Sequence, residues 1–131
     1  MRRADWQLRL AEFAKKRVSM PFEWGRNDCC LFTVDAVLAM TGVDYAAKFR
    51  GYTTALAAAR VIEQQGGIRQ LAIDAWGAPV SPNRAGVGDV VLMLNEGREL
   101  LAVCNGTTAI GPGPEGLAVM DMSAAIAAWK I

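Results

Sequence analysis

Histidine is absent from all 131 positions. Without an imidazole the chain cannot assemble a serine–histidine or cysteine–histidine pair from its own residues, nor a metal site built on imidazole. Cysteine is scarce: Cys29, Cys30 and Cys104 are the only three. An odd count with two immediate neighbours does not describe a secreted disulfide framework, and adjacent thiols bridge each other poorly. No C-x-x-C pair is present for a zinc or thioredoxin-like centre, so no metal and no cofactor are expected. Long apolar runs are missing as well. The stretch from Ala4 to Ser19 is interrupted by Asp5, Arg9, Glu12 and the basic run Lys15 to Arg17, so neither a signal peptide nor membrane insertion is expected. Charge of either sign is not in excess, with 14 Lys and Arg against 13 Asp and Glu. That balance removes the long-range attraction expected of a nucleic-acid or anionic-lipid binder. These features read as a protein made in a reducing cytoplasm.

What is present suits a single domain spanning residues 1–131. Hydrophobic residues make up 53% of a 14.1 kDa chain, enough for an ordinary core. The first half is punctuated as helices. From Ala4 to Val18 the residues Trp6, Leu10 and Phe13 share one stripe, and Pro21 ends that element. Asn27 or Asp28 caps a second helix from Cys29 to about Met40, so rich in apolar residues that it reads as mostly buried, and Gly42 stops it. After a mixed loop over residues 44–52, a third helix runs from a Thr53 cap to Gln65, closed by Gly66-Gly67, and a fourth from Ile68 to Trp76. Residues 77–88, with their prolines and glycines, form the clearest break.

The period then changes. Asp89 to Leu94 and Leu100 to Asn105 read as strands joined by a turn at Glu96-Gly97-Arg98. Thr107 to Ile110 and Leu117 to Met122 read as two more, and Ser123 caps a short closing helix containing Ile126 and Trp129. Met93, Met120 and Met122 belong to a core or an interface. Helices first and an antiparallel sheet after them define an α+β arrangement, with N-terminal helices packed on a C-terminal sheet.

The chemically suggestive point is Asn27-Asp28-Cys29-Cys30 at a helix start. A thiol in a first helical turn feels the positive end of the dipole, which favours thiolate; a neighbouring Asp28 carboxylate opposes it. Cys29 is therefore either a nucleophile or, with Cys30, a small apolar residue filling a helix–loop junction. Arg26 and Arg50, beside Trp24 and Tyr52, could grip a carboxylate-bearing ligand, or could pair with Asp28 or Glu23 to fix the loop. Trp6, Trp24, Trp76 and Trp129 read chiefly as core anchors. The Gly111-Pro112-Gly113-Pro114 loop lacks the lysine and helix of a phosphate loop.

Asp28-Cys29 opening a buried helix, followed by Gly88-Asp89-Val90-Val91 and a second strand ending at Gly106, resembles the NlpC-type cell-wall peptidases, compact relatives of papain. The run from Phe22 to Phe32, together with Phe49-Arg50-Gly51-Tyr52 and Ala127-Ala128-Trp129-Lys130, is similar to a family of small phage and prophage proteins related to those peptidases. The resemblance covers about Trp6 to Ile131. It implies a compact papain-like fold, Cys29 at the nucleophile position and Asp28 as helix cap. It also implies a histidine at the start of the second strand, where this chain has Leu100, or Arg98 if the register slides by two. The polar residue that orients such an imidazole has only Thr108 as a candidate.

A cysteine without a base is a few per cent thiolate at pH 7, and losing a positioned acid–base typically costs about 10²–10⁴-fold in rate. The resemblance therefore implies a structural or assembly protein of a phage tail tip or hub, with a catalytically degenerate peptidase fold. Its partners would be other tail proteins, and it would be assembled in the host cytoplasm and carried in the virion tail. The alternative is an active cysteine hydrolase of peptidoglycan peptides whose base comes from a partner chain. A third reading is a small α+β binding module whose cysteines only pack.

Overall fold

A computed structural model describes residues 2–131. Four helices come first: α1 (Trp6–Arg17), α2 (Cys29–Thr41), α3 (Ala55–Gln64) and α4 (Ile68–Trp76). Five strands follow: β1 (Val90–Asn95), β2 (Arg98–Cys104), β3 (Thr108–Pro112), β4 (Leu117–Asp121) and β5 (Ala125–Trp129). They form one antiparallel sheet in the order β4-β3-β2-β1-β5. The fold is α+β with its helices N-terminal.

Helix α2 is the spine. The Asp28 side chain accepts from the Leu31 amide and caps its start, while Gly42, at φ 81°, closes its end with an N–H to the Leu38 carbonyl. Eight of its thirteen residues are buried, because α1 covers one side and the sheet another. Phe13 of α1 meets Phe32 of α2 edge-on, with ring centroids 5.1 Å apart. Phe32, Val37 and Met40 pack with Val90, Leu92, Leu101 and Trp129 of the sheet in the main core. A second cluster joins Cys30, Leu31 and Val34 to Tyr52, Ala58 and Leu71, which seats α3 and α4 against the first half of α2.

The sheet is curled. β4 and β5 lie at opposite edges, yet only the 3-10 turn Met122–Ala124 joins them. Four inter-strand spacings would separate those edges by about 19 Å in a flat sheet. The four residue steps from Asp121 to Ala125 reach about 14 Å at most. Curling puts Val91, Met93, Ala102, Cys104, Ala109 and Ala128 together on the concave face. Met120 and the turn residue Met122 pack onto that cluster beside buried Met93, so all three methionines belong to the core.

The closing helix expected from Ser123 is instead a strand. Asp121, not Ser123, caps the 3-10 turn by accepting from the Ser123 amide, and β5 then pairs along β1 with Val90 opposite Trp129. Trp129 is buried and donates its indole N–H to the Gly77 carbonyl at 2.8 Å. Five residues are too few for helical periodicity to compete with an available sheet edge. Smaller differences lie at element ends. α3 is capped by Thr54, one residue beyond the expected Thr53. β2 starts at Arg98, so its turn is the two-residue Glu96-Gly97, both at positive φ, as a type I′ hairpin requires.

Candidate functional site

The Asp28–Cys29 junction is assembled from two loops and a helix start. Asp28 is 1% exposed. One carboxylate oxygen accepts from the Leu31 amide at 2.9 Å; the other accepts from the Gly25 amide at 3.0 Å and from the Tyr52 hydroxyl at 2.7 Å. Gly25 sits at φ 80°, and a Cβ there would fall 1.8 Å from the Tyr52 carbonyl oxygen. The residues shared by the Trp24-Gly25 and Gly51-Tyr52 segments therefore lock two loops onto one buried carboxylate. Burial, together with the Asp28 charge that accepts its hydrogen bond, pushes the Tyr52 phenol well above its ordinary range.

Cys29 follows this hub directly. It is half-buried, and its thiol is pushed up to about 11, first by burial and then by the Asp28 charge; a backbone hydrogen bond only partly offsets this. Cys30 is buried and pushed up to about 12, again by burial and then by Asp28. The helix-dipole effect that would favour thiolate is outweighed here. Both sulfurs stay protonated at neutral pH.

Cys29 lines a cleft of about 840 Å³. Phe22 and Trp24 form its aromatic end, their rings edge-to-face with centroids 4.8 Å apart. Ala55, Ala58, Ala59 and Ile62 of α3 make one wall, and residues 98–101 of β2 contribute to the opposite side. Tyr52 and Asp28 also reach it, but their polar atoms are already used by each other. The tryptophans divide accordingly. Trp6 lies under the Arg2 guanidinium, Trp76 packs edge-on to Tyr45 and Trp129 is in the core, whereas Trp24 is 41% exposed at the cleft.

The structure brings Trp24, Asp28, Cys29, Tyr52 and Leu100 to this one cleft. Leu100 lines it while packing with the concave-face cluster of the sheet, and the next residue, Leu101, faces the helices in the main core. Arg26 and Arg50 are not brought there. Arg26 lies in a separate shallow depression with Lys16 and Glu23. Arg50 pairs with Asp35 and Asp44, so the expected pairing with Asp28 or Glu23 does not form: Tyr52 already occupies Asp28, and Asp35 on α2 is the carboxylate within reach. Arg17 meets the other oxygen of Asp35 at 2.9 Å, and the Arg50 contact lowers Asp44 below the usual carboxylate range. Thr108 is half-exposed and outside the cleft.

Sequence reasoning missed five residues at or beside the cleft. Ala55, Ala58 and Ala59 hollow the cleft, and their i, i+3, i+4 spacing was a readable signal. Glu99 and Arg69 meet at 3.7 Å beside it, a pair that no local pattern announces. Among the described residues no group of three or more Cys, Asp or Glu side chains is arranged to hold a metal, and no helix is long and apolar enough to cross a membrane.

A protonated cysteine at a helix start, facing a cleft beside an antiparallel sheet, defines an α+β domain with a thiol site that has no imidazole. The chain belongs to the family described as a domain of unknown function, DUF6950, whose model matches residues 1–131. No curated protein matches it.

Proposed function

We propose that this protein is a structural or assembly component of a phage tail tip or hub, built on a compact NlpC-type papain-like fold that no longer carries peptidase chemistry. The observation that carries the reading is the state of Cys29. It stands where the resemblance expects a nucleophile, at the start of the spine helix and open to a cleft. Yet burial and Asp28 raise its thiol to about 11, and no histidine exists in the chain to take its proton. Amide hydrolysis needs both a thiolate and an acid for the leaving amine; neither is supplied here. A fold can outlive its chemistry when its surface serves another end. In this reading other tail proteins are the partners, and the protein is assembled in the host cytoplasm and retained in the virion tail. Mass spectrometry of purified particles tests retention: detection at a few copies per tail is expected. Absence from particles, combined with a deletion that leaves tail assembly unaltered, rules the reading out.

A further inference from the structure

The sheet has two edges, and the fold protects only one of them. On β5, Ala128 exchanges both main-chain hydrogen bonds with Val80, at 2.7 and 3.0 Å, and a bulge against Leu92 and Met93 leaves Ile126 out of register. Covering and bulging of this kind close an edge to further strands. β4 has no such guard: no lysine, no proline and no bulge. Its bonding direction follows from the hairpin that precedes it. The Gly113 amide donates to the Gly116 carbonyl at 2.7 Å, so Ala118 and Met120 bond toward Gly111 and Ala109 of β3, while Leu117, Val119 and Asp121 turn their main-chain groups outward. The Leu117 amide agrees, donating away from the sheet to the Val18 carbonyl at 3.0 Å. The Leu117 carbonyl, both groups of Val119 and the Asp121 amide are left without a strand partner. At 65%, Val119 is also the most exposed large hydrophobic residue among those described.

Those four groups are matched by the same four groups of a second copy. With two β4 strands antiparallel and Val119 facing Val119 on a two-fold axis, each Val119 amide meets the other's carbonyl. Each Asp121 amide then meets the Leu117 carbonyl of the other copy. A foreign strand would need this alternation and length by coincidence; a second copy has both by symmetry. The side chains suit the same register. The two valines form a β-branched cross-strand pair. The two Asp121 carboxylates lie four residues apart along the pairing, about 14 Å, so like charges are not juxtaposed. Each instead comes beside the other copy's Leu117, whose amide is held by Val18, the residue that follows the basic run Lys15-Lys16-Arg17. A carboxylate is favourable there, next to three cations at a helix end.

We propose that this protein self-associates through β4, two copies joining their five-stranded sheets edge to edge around Val119. The proposal stands on the sheet edge alone and not on the tail-protein reading. Five paired residues bury less than the roughly 1,200 Å² of a stable interface, so the dimer is a weak one, half-formed at about 0.1–1 mM. Sedimentation velocity of the full chain between about 10 μM and 2 mM should carry it from monomer toward dimer. Over that range amide exchange at Val119, followed by NMR, should slow at least about twofold. Val119→Lys and Val119→Glu each set like charges across the axis at an exposed position, so each alone should stay monomeric with an unchanged fold. Their equimolar mixture should pair again, because the facing charges are then opposite. A chain that stays monomeric at about 2 mM overturns the proposal and leaves the edge to a strand of another protein. So does a dimer that survives Val119→Lys, which would put the contact on another surface, or a charge-swapped mixture that does not pair. Virion retention is measured on particles, so this proposal and the tail-protein reading can fail separately.

Discussion

The Tyr52 hydroxyl donates to the Asp28 carboxylate at 2.7 Å, across 24 positions of sequence, and Asp28 is the residue that caps the helix carrying Cys29. One carboxylate thus fixes the entry loop, the helix start and the 44–54 segment together. Tyr52→Phe removes one of three donors to a buried anion and should cost about 1–2 kcal/mol in urea denaturation. Asp28→Ala removes the cap and the acceptor of all three hydrogen bonds, and should cost more than Tyr52→Phe. Equal effects would mean that the Tyr52 contact, not the helix cap, carries the stabilisation.

Alkylation kinetics report the thiol directly. With Cys29 raised to about 11 against an ordinary value of about 8.5–9, its thiolate fraction at pH 7 is about a hundredfold below that of a free cysteine. Iodoacetamide labelling of the folded protein, resolved by site, should therefore be slow up to pH 9 and rise only above it. Cys30, raised to about 12 and buried, should lag behind. A Cys29 labelling midpoint below about pH 8 would show an activated thiolate and revive the hydrolase reading.

That reading has its own measurement. Peptidoglycan incubated with the protein and its co-purified tail proteins should give an unchanged muropeptide profile, with an active peptidase as the positive control. Cleavage that disappears in Cys29→Ser would establish a base supplied by a partner chain.

Glycine contacts separate a required close approach from a tolerated turn. Gly25→Ala forces a Cβ onto the Tyr52 carbonyl at a position with φ 80°, whereas Gly51, at φ 117°, has nothing within 4 Å. Gly51→Ala should cost about 1–3 kcal/mol from backbone strain alone. Gly25→Ala should cost at least about 2 kcal/mol more; thermal melts of the two variants give the order. A Gly25→Ala protein as stable as Gly51→Ala would remove the packing argument.

Much of this was legible in the residues themselves. Helix stops at Gly42 and Gly66-Gly67, a cap at Asn27 or Asp28 and a hairpin turn around Glu96-Gly97-Arg98 are local chemistry; folding chose Asp28 for the cap and put Arg98 in the strand. What could not be read was decided by partners distant in sequence. Ala125 to Trp129 became a strand because β1 had an open edge, and Arg50 went to Asp35 because Tyr52 had claimed Asp28. The cleft residues Trp24, Cys29 and Leu100 could be named from the resemblance, but its hollow comes from the alanines of α3.

Asp89 joins the two ends of the chain, and its charge sets how the fold responds to acid. The side chain is fully buried. It accepts from Arg2 at 2.7 Å, from Lys130, and from the amides of Gly86 and Ile131 at 2.9 and 3.0 Å. Burial alone would raise its pKa, but the Lys130 contact and the two amides outweigh this and hold it below the usual carboxylate value. A folded-state value below the unfolded one means the stabilisation is complete above the unfolded pKa of about 3.9 and is lost as pH falls through the lower, folded value. Unfolding free energy should thus be flat from pH 7 to about 5 with respect to this group and decline below about 4. Asp89→Asn keeps the shape but leaves Arg2 and Lys130 without their anion, and should cost about 1–3 kcal/mol at pH 7. Its deficit relative to the parent should shrink as the pH approaches 2–3, because the parent's carboxylate is being neutralised there as well. Urea melts of both proteins between pH 2.5 and 7 measure this. A deficit that stays constant across the range would show that the buried charge contributes nothing beyond its shape.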